Sequence, residues 1–301
     1  MSKLSVALTT FNEEANIKDC LESVKWADEI VVVDEKSSDE TTQIAKKYTS
    51  KIFSVDHDPM FHKHKQLALD KCTGDWILQI DADERLSPEL SGEIKKIIDS
   101  ETILNGFKIP RKNIIFNKWI KHTGWYPDYQ VKLLRKNKGH FPCKSVHELI
   151  EIEGETGILN ADLVHKHYNS VTQFIERLNR YTTNDADFLL EKKENIFWTD
   201  AIRFPADEFF KRFFLWEGYK DGLHGLVLSG LQAFNRLIVF AKIWETQGFP
   251  EYTELDFHSE VIKQSKKVAR DWNYWLVFTE INKTKKVILK VKNKVLNIFK
   301  L

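Results

Sequence analysis

The first hundred residues alternate short apolar runs with segments of helical spacing, and the apolar runs end in polar clusters. Residues 4–8 form the first run, and residues 13–25 follow with Ile17, Leu21 and Val24 at helical intervals. Residues 29–34 (EIVVVD) stay apolar up to a terminal carboxylate, the pattern of a strand buried on both faces. Residues 38–48 read as the next helix, entered through a Ser-Ser-Asp turn with capping residues. Residues 51–55 predict a third strand, 61–71 a third helix, and 75–80 (DWILQI) a fourth strand running into Asp81-Ala82-Asp83-Glu84. Pro88, one residue beyond Ser87, opens a helix through Ile98. Such alternation predicts an α/β fold with a doubly wound, mostly parallel sheet. Ligands of such sheets bind beyond the carboxyl ends of the strands. Thr9 to Asn12, Asp34, and Asp81 to Asp83 all fall at those ends.

The pattern changes further along. Residues 105–168 are mixed, with strand-like pieces at 106–109, 130–134 and 148–152, and beyond Val171 the spacing is helical throughout. Two regions are therefore expected: residues 1–168, holding the α/β sheet, and a helical region at 169–301. The aromatic content is 12%, with 20 Phe and 9 Trp, and it is densest in the second region. Residues 283–301 alternate Lys with Val, Ile and Leu and contain no acidic residue, which reads as a basic amphipathic helix. These helices have two readings. One is a second core packed on the sheet. The other is an interfacial surface on an anionic membrane, with Lys at the headgroups and Trp and Phe at the boundary.

Bulk charge excludes one class of partner. Lys and Arg number 45 against 44 Asp and Glu, a net charge of +1, whereas a chain that holds nucleic acid through its overall charge is far more basic. Cys20, Cys72 and Cys143 are widely spaced and odd in number, so no disulfide framework is expected and a reducing, cytoplasmic setting fits. The opening residues are too soon interrupted by Asn12, Glu13 and Glu14 for a signal peptide. The most apolar stretch, residues 223–243, carries His224, Asn235, Arg236 and Lys242, which argues against a membrane span.

Asp81-Ala82-Asp83 is the sharpest chemical signal. Two carboxylates one residue apart at a strand end suit a hard cation, Mg²⁺ or Mn²⁺, that also takes substrate phosphates and offsets charge on a departing phosphate. The plain alternative is an acidic turn capping the following helix. Asp34 reads either as a cap of the Ser37–Ser38 turn or as a hydrogen-bond acceptor for a base or ribose. Asn12 reads as a helix N-cap. His62-Lys63-His64-Lys65 opens a helix, where two cations could meet a diphosphate or simply face solvent. A zinc site is not expected there, because residues i and i+2 do not share a helical face. Neither G-x-x-x-x-G-K-[ST], G-x-G-x-x-G nor G-x-S-x-G occurs, which removes the main supports for kinase, dehydrogenase and hydrolase readings.

TTFNEE, VVVDEKSSDET and DWILQIDADE, in that order and spacing, resemble the inverting family 2 glycosyltransferases of GT-A fold. GWYPDYQVKLLR at 124–135, followed by Ser145-Val146-His147-Glu148, is similar to the lipopolysaccharide core glucosyltransferase branch, and residues 218–225 (GYKDGLHG) resemble its helical C-terminal part. The likeness covers residues 3–168 well. It implies that Thr9, Phe11 and Glu13 line a nucleotide pocket and that Asp34 binds the base. It further implies that Lys65 approaches the donor diphosphate, that Asp81 contacts ribose or sugar, and that Asp83 binds the divalent metal. His147 would help hold the phosphate or metal. A general base must deprotonate the acceptor hydroxyl. Asp128, after an aromatic-proline turn, and Glu148 are the two candidates, with Asp128 first. Lys132 departs from the branch, which carries Arg there: charge is kept but a bidentate contact is not.

The implied function is transfer of a hexose from a nucleoside-diphosphate sugar to a glycan or glycolipid hydroxyl. Two other readings are weighed. A sugar-phosphate nucleotidyltransferase would carry a glycine-rich basic loop where this chain has TTFNEE. A non-catalytic membrane or partner adaptor would rest on the aromatic helices alone.

Overall fold

Strand β1 (Leu4–Thr10) turns Leu4, Val6 and Leu8 toward one face of the sheet and Ala7 toward the other, as the two-residue side-chain period requires. Helix α1 (Glu14–Val24) lays Ile17, Leu21 and Val24 on the first face. β2 (Glu29–Asp34) repeats the division, with Ile30 and Val32 on one side and Val31 and Val33 on the other. A run buried on both faces has to read as continuously apolar. The chain continues through α2 (Thr41–Ala45), β3 (Ile52–Ser54), α3 (His62–Lys71), β4 (Trp76–Asp81), β5 (Glu84–Leu86) and α4 (Pro88–Ile98). α1 and α4 cover one face and α3 the other. Ser87 caps α4, its side chain accepting from Leu90 N at 3.1 Å. This computed structural model describes residues 2–58, 60–143, 148–252, 256–280 and 286–287.

Beyond α4 come β6 (Gly106–Ile115), β7 (Lys118–Trp119), β8 (Asp128–Arg135), β9 (Gly139–His140), β10 (Glu151–Ile152), β11 (Thr156–Ile158) and β12 (Leu163–Tyr168). Among the described residues the main sheet runs β3-β2-β1-β4-β8-β6-β12-β5, with β7 and β11 also paired to β6. β1 to β4 pair in parallel, as the α/β alternation predicts. β8 is antiparallel to both β4 and β6, and β12 is parallel to β6 but antiparallel to β5. The fold is the expected α/β sheet with a helical C-terminal region, and its second half is mixed. Here α/β periodicity gives way because β6 returns to β8 with no crossover helix between them.

By its internal contacts the chain divides into two units, Met1–Lys121 with Trp125–Asn169, and His122–Gly124 with Ser170–Leu301. The second contains α5 (Val171–Glu191), α6 (Asp200–Phe210), a π turn at Lys211–Leu215, a 3-10 turn at Gly218–Asp221, α7 (Leu223–Thr246) and α8 (Phe257–Thr279). Its aromatics pack on each other. Trp272 stacks on Phe209 at 5.6 Å and Trp275 on Phe214 at 5.9 Å. The start of α7 lies tight against the 3-10 turn: a Cβ added to Gly225 would sit 1.8 Å from the Gly218 carbonyl oxygen.

Three local expectations change. The helix expected at 38–48 is only Thr41–Ala45, because Ser37, Ser38 and Asp39 are engaged with the β1–α1 loop. Asn12 caps no helix. It takes the left-handed conformation at φ 53°, which Asn tolerates, and its Oδ1 accepts from Ser38 N at 2.9 Å. The strand expected at 148–152 is Glu151–Ile152. α7 is, among the described residues, the one helix long and apolar enough to cross a membrane. Its polar side chains, which argued against that from sequence, are gathered on one side of the helix. Apart from Lys286 and Val287, the basic segment 283–301 lies outside the described residues.

Candidate active site

Three loops at the carboxyl ends of β1, β2 and β4 are held together by polar contacts. Thr9 pairs in register with Val33 on one side and Asp81 on the other, and Thr10 with Asp34. Glu13 N donates to Thr41 Oγ1 at 2.7 Å, and the Glu13 carboxylate accepts from Asn16 Nδ2 at 2.8 Å. Asp34 is buried and accepts from both Ser37 N and Ser37 Oγ, at 2.9 and 2.6 Å. It therefore caps its turn. Phe11 is half exposed, with its ring 6.2 Å from that of His57.

The DADE turn leads from β4 into β5, which pairs with β12, so its four residues bridge the middle and the edge of the sheet. An alternating chain of charges starts there. Lys65 Nζ lies 2.6 Å from Asp81 Oδ1, and Lys132 Nζ lies 3.3 Å from Asp81 Oδ2 and 2.7 Å from Glu84 Oε2. Glu84, fully buried, also faces Arg111 Nη1 at 3.6 Å and accepts from Asp81 N at 2.9 Å. Arg111 Nε then donates to Asp128 Oδ2 at 2.9 Å. Gln130 Nε2 donates to Asp128 Oδ1 at the same distance.

Buried charges persist when paired and hydrogen-bonded, and the electrostatics follow. Burial pushes the Asp81 carboxyl up, but Lys132 and Lys65 together pull it well below the usual range. Burial also pushes Asp128 up, and Arg111 overrides it to hold the carboxyl low. Burial pushes the Lys132 ammonium down, while Asp81 and Glu84 drive it above its ordinary value.

Asp83 belongs to a second cluster. Its Oδ2 is 3.5 Å from His165 Nε2. His165 Nδ1 lies 2.7 Å from Asn113 Oδ1, and its Nε2 is 3.2 Å from His167 Nδ1. Burial pushes Asp83 up, but the adjacent His165 imidazole more than offsets this and leaves it at about 2. The Asp83 carboxylate suits a hard cation that takes its other ligands from substrate phosphate. Among the described residues no group of three His, Cys, Asp or Glu side chains is arranged to hold an ion. His147, the expected helper of Asp83, lies outside the described residues.

Asp128 is tied directly into the network of the DADE turn. Glu148 is half-buried, and its charge reaches the thiol of Cys143, which burial and Glu148 push up. Sequence reasoning missed Glu84, Arg111, Asn113, His165 and His167. The one available signal was His-Lys-His at 165–167, which puts two imidazoles on one face of a strand. Aromatic residues precede Asp128 along the chain: Trp119 meets Tyr126 edge-on at 5.3 Å, Trp125 lies 5.2 Å from His167, and Tyr126 donates to Asp162 at 3.1 Å.

A parallel α/β half-sheet, a mixed second half, and an aspartate pair at the end of β4 are the marks of a GT-A glycosyltransferase. Comparison with known proteins agrees. The pattern of glycosyl transferase family 2 matches residues 5–150, and an uncharacterized glycosyltransferase of Rickettsia bellii is 30% identical across 81% of this chain and 86% of its own. The chain belongs to glycosyl transferase family 2. It is also similar to LpsC, a lipopolysaccharide core biosynthesis glycosyltransferase of Rhizobium meliloti, with 26% identity across 84% of this chain and 96% of that protein. Among solved structures, Staphylococcus aureus TarS 1–349 in complex with UDP-GlcNAc aligns over 84% of this chain and 93% of its own, with a TM-score of 0.43 and 17% identity.

Proposed function

We propose that the protein moves a hexose from a nucleoside-diphosphate sugar, a UDP-sugar, to a hydroxyl of a lipopolysaccharide-core or other cell-surface glycan, with inversion at the anomeric carbon. The observation that carries this reading is the charge chain from Lys65 through Asp81, Lys132, Glu84 and Arg111 to Asp128. It links a cation suited to a diphosphate with a carboxylate suited to an acceptor hydroxyl. Phe11 and Asp34 would receive the base, Thr9 and Glu13 would line the pocket, and Asp81 would meet ribose or sugar. Asp83, with His165 and His147, would hold Mg²⁺ or Mn²⁺, which when bound neutralises charge on the departing diphosphate.

Asp128 would take the acceptor proton, with Arg111 keeping it ionised and holding its carboxylate in place, while Trp119, Trp125 and Tyr126 would form the acceptor wall. Glu148 is the alternative base. Residues 1–168 would bind the donor, and the helical region 169–301 would face the acceptor or the membrane that carries it. Free thiols at Cys20, Cys72 and Cys143 fit a cytoplasmic setting at the inner face of a membrane.

A donor screen tests this reading. UDP-hexoses with Mn²⁺ should raise the melting temperature more than GDP- or TDP-sugars, because a ligand that binds only the folded state stabilises it. Isolated product should carry the opposite anomeric configuration to the donor. Equal stabilisation by every nucleotide, or retained configuration, would overturn the proposal.

A further inference from the structure

Helix α7 turns a second apolar face outward, apart from the Leu228, Val239 and Ile243 that it buries. Leu223, Leu226, Val227, Phe234, Leu237 and Trp244 are exposed, from 37% for Leu237 to 73% for Leu223. At 3.6 residues per turn they share one face with Gly230 and Ala241, and the partly buried Leu231, Ile238 and Phe240 widen it to about half the helix circumference. The one charge on that face is Glu245, in the last turn. The other charges of α7 point away: Arg236 lies 3.9 Å from Glu208 of α6, and Lys242 donates to Asn179 Oδ1 of α5 at 3.0 Å. The inner side buries Leu228, Val239 and Ile243 beside these polar groups, so the helix is apolar outward as well as inward, a costly arrangement for a surface exposed to water alone.

We propose that this face of α7 lies in the interface of an anionic membrane. The proposal deepens the reading of a membrane-borne acceptor and rests on it. Two observations select a lipid surface over a second copy. A helix pair buries a narrow seam flanked by charged positions, and protein interfaces carry a polar rim, whereas the flanks here are Leu, Ile and Phe. In addition, the chain's last nineteen residues hold seven lysines and no carboxylate side chain, complementary to anionic headgroups. The face is about 33 Å long at 1.5 Å per residue and ends at Trp244, which meets Phe249 edge-on at 4.9 Å. Aromatic side chains favour that boundary.

Gly230 offers a direct probe, because a Cβ there meets no atom within 4 Å. In a Cys143→Ser background, with Cys20 and Cys72 buried and their thiols pushed up by burial, Gly230→Cys is labelled in the full-length protein with an environment-sensitive fluorophore. Vesicles of phosphatidylcholine and phosphatidylglycerol, free of donor and acceptor, should blue-shift and brighten this label but not one at Glu176→Cys on α5. Leu237→Glu, and separately Phe234→Ser, should lower partitioning by about tenfold or more, since each removes buried apolar area. Transfer to a water-soluble acceptor should be unchanged in both variants, which separates this proposal from the assignment of activity. Three results would overturn it: no co-sedimentation with the vesicles, co-sedimentation with an unchanged signal at 230, or a label already shielded without vesicles in a protein of twice the monomer mass.

Discussion

Arg111 and Asp128 face each other across the antiparallel pair β6 and β8, guanidinium Nε to carboxylate Oδ2 at 2.9 Å. The contact keeps Asp128 ionised below its ordinary range, so replacing Arg111 with Met should let its pKa climb back. An ionised base works only above its pKa, so the acid limb of the kcat/KM profile should move to higher pH in Arg111→Met. Asp128→Asn should cut kcat by about 10²- to 10⁴-fold with donor affinity retained. An unmoved acid limb in Arg111→Met would transfer the role of base to Glu148.

Asp83→Asn should abolish metal-dependent transfer without unfolding the protein, as read by a metal titration of activity beside circular dichroism. Chelation of the wild type should produce the same loss, restored by Mn²⁺. Activity that survives both treatments would remove the metal from the reaction.

Glu84 is sealed between Lys132 and Arg111. Glu84→Ala would leave two cations facing each other in a buried setting, and breaking a buried ion pair costs about 3–5 kcal/mol. A urea midpoint within error of wild type would show that the two cations find other partners.

Glu29 anchors the opposite end of the sheet. Its carboxylate accepts from Thr73 N and Oγ1 at 2.7 and 2.9 Å and also meets Ser5 and Lys51. Burial pushes it up, but these partners bring it down to about 2. A depressed carboxylate stabilises the fold above its unfolded pKa, and that stability is lost as pH falls through the folded value. Stability should therefore decline between about pH 5 and pH 2, with a shallower slope in Glu29→Gln. Parallel slopes in the two proteins would exclude Glu29 as the source.

Gly225→Ala places a methyl 1.8 Å from the Gly218 carbonyl oxygen. Backbone on both sides leaves little room to yield, so a loss of at least about 2 kcal/mol is expected. A melting temperature equal to wild type would mean that the 3-10 turn moves aside.

Legibility in the sequence followed how local each signal was. β1, β2 and β4 stand out because both of their faces are buried, which leaves an uninterrupted apolar run, and the carboxylates that end β2 and β4 mark the candidate site. β6 and β8 were legible only as the short pieces at 106–109 and 130–134, and β12 not at all, since pairings such as Leu163 with Arg111 join residues far apart along the chain. Arg111, Asn113 and His165 each look like an ordinary polar residue in a strand, and only the sheet brings them to Asp128 and Asp83. His224, Asn235, Arg236 and Lys242 are legible in the sequence as interruptions of an apolar stretch, and only the helix shows that they are gathered on one side.

A line of alternating charges with a sealed interior also limits how the sequence can drift. Losing any one interior member strands its neighbours, so Glu84 and Lys132 can be exchanged for uncharged residues only together. A swap within one sign is the single step left open. Arginine in place of Lys132 would be such a step.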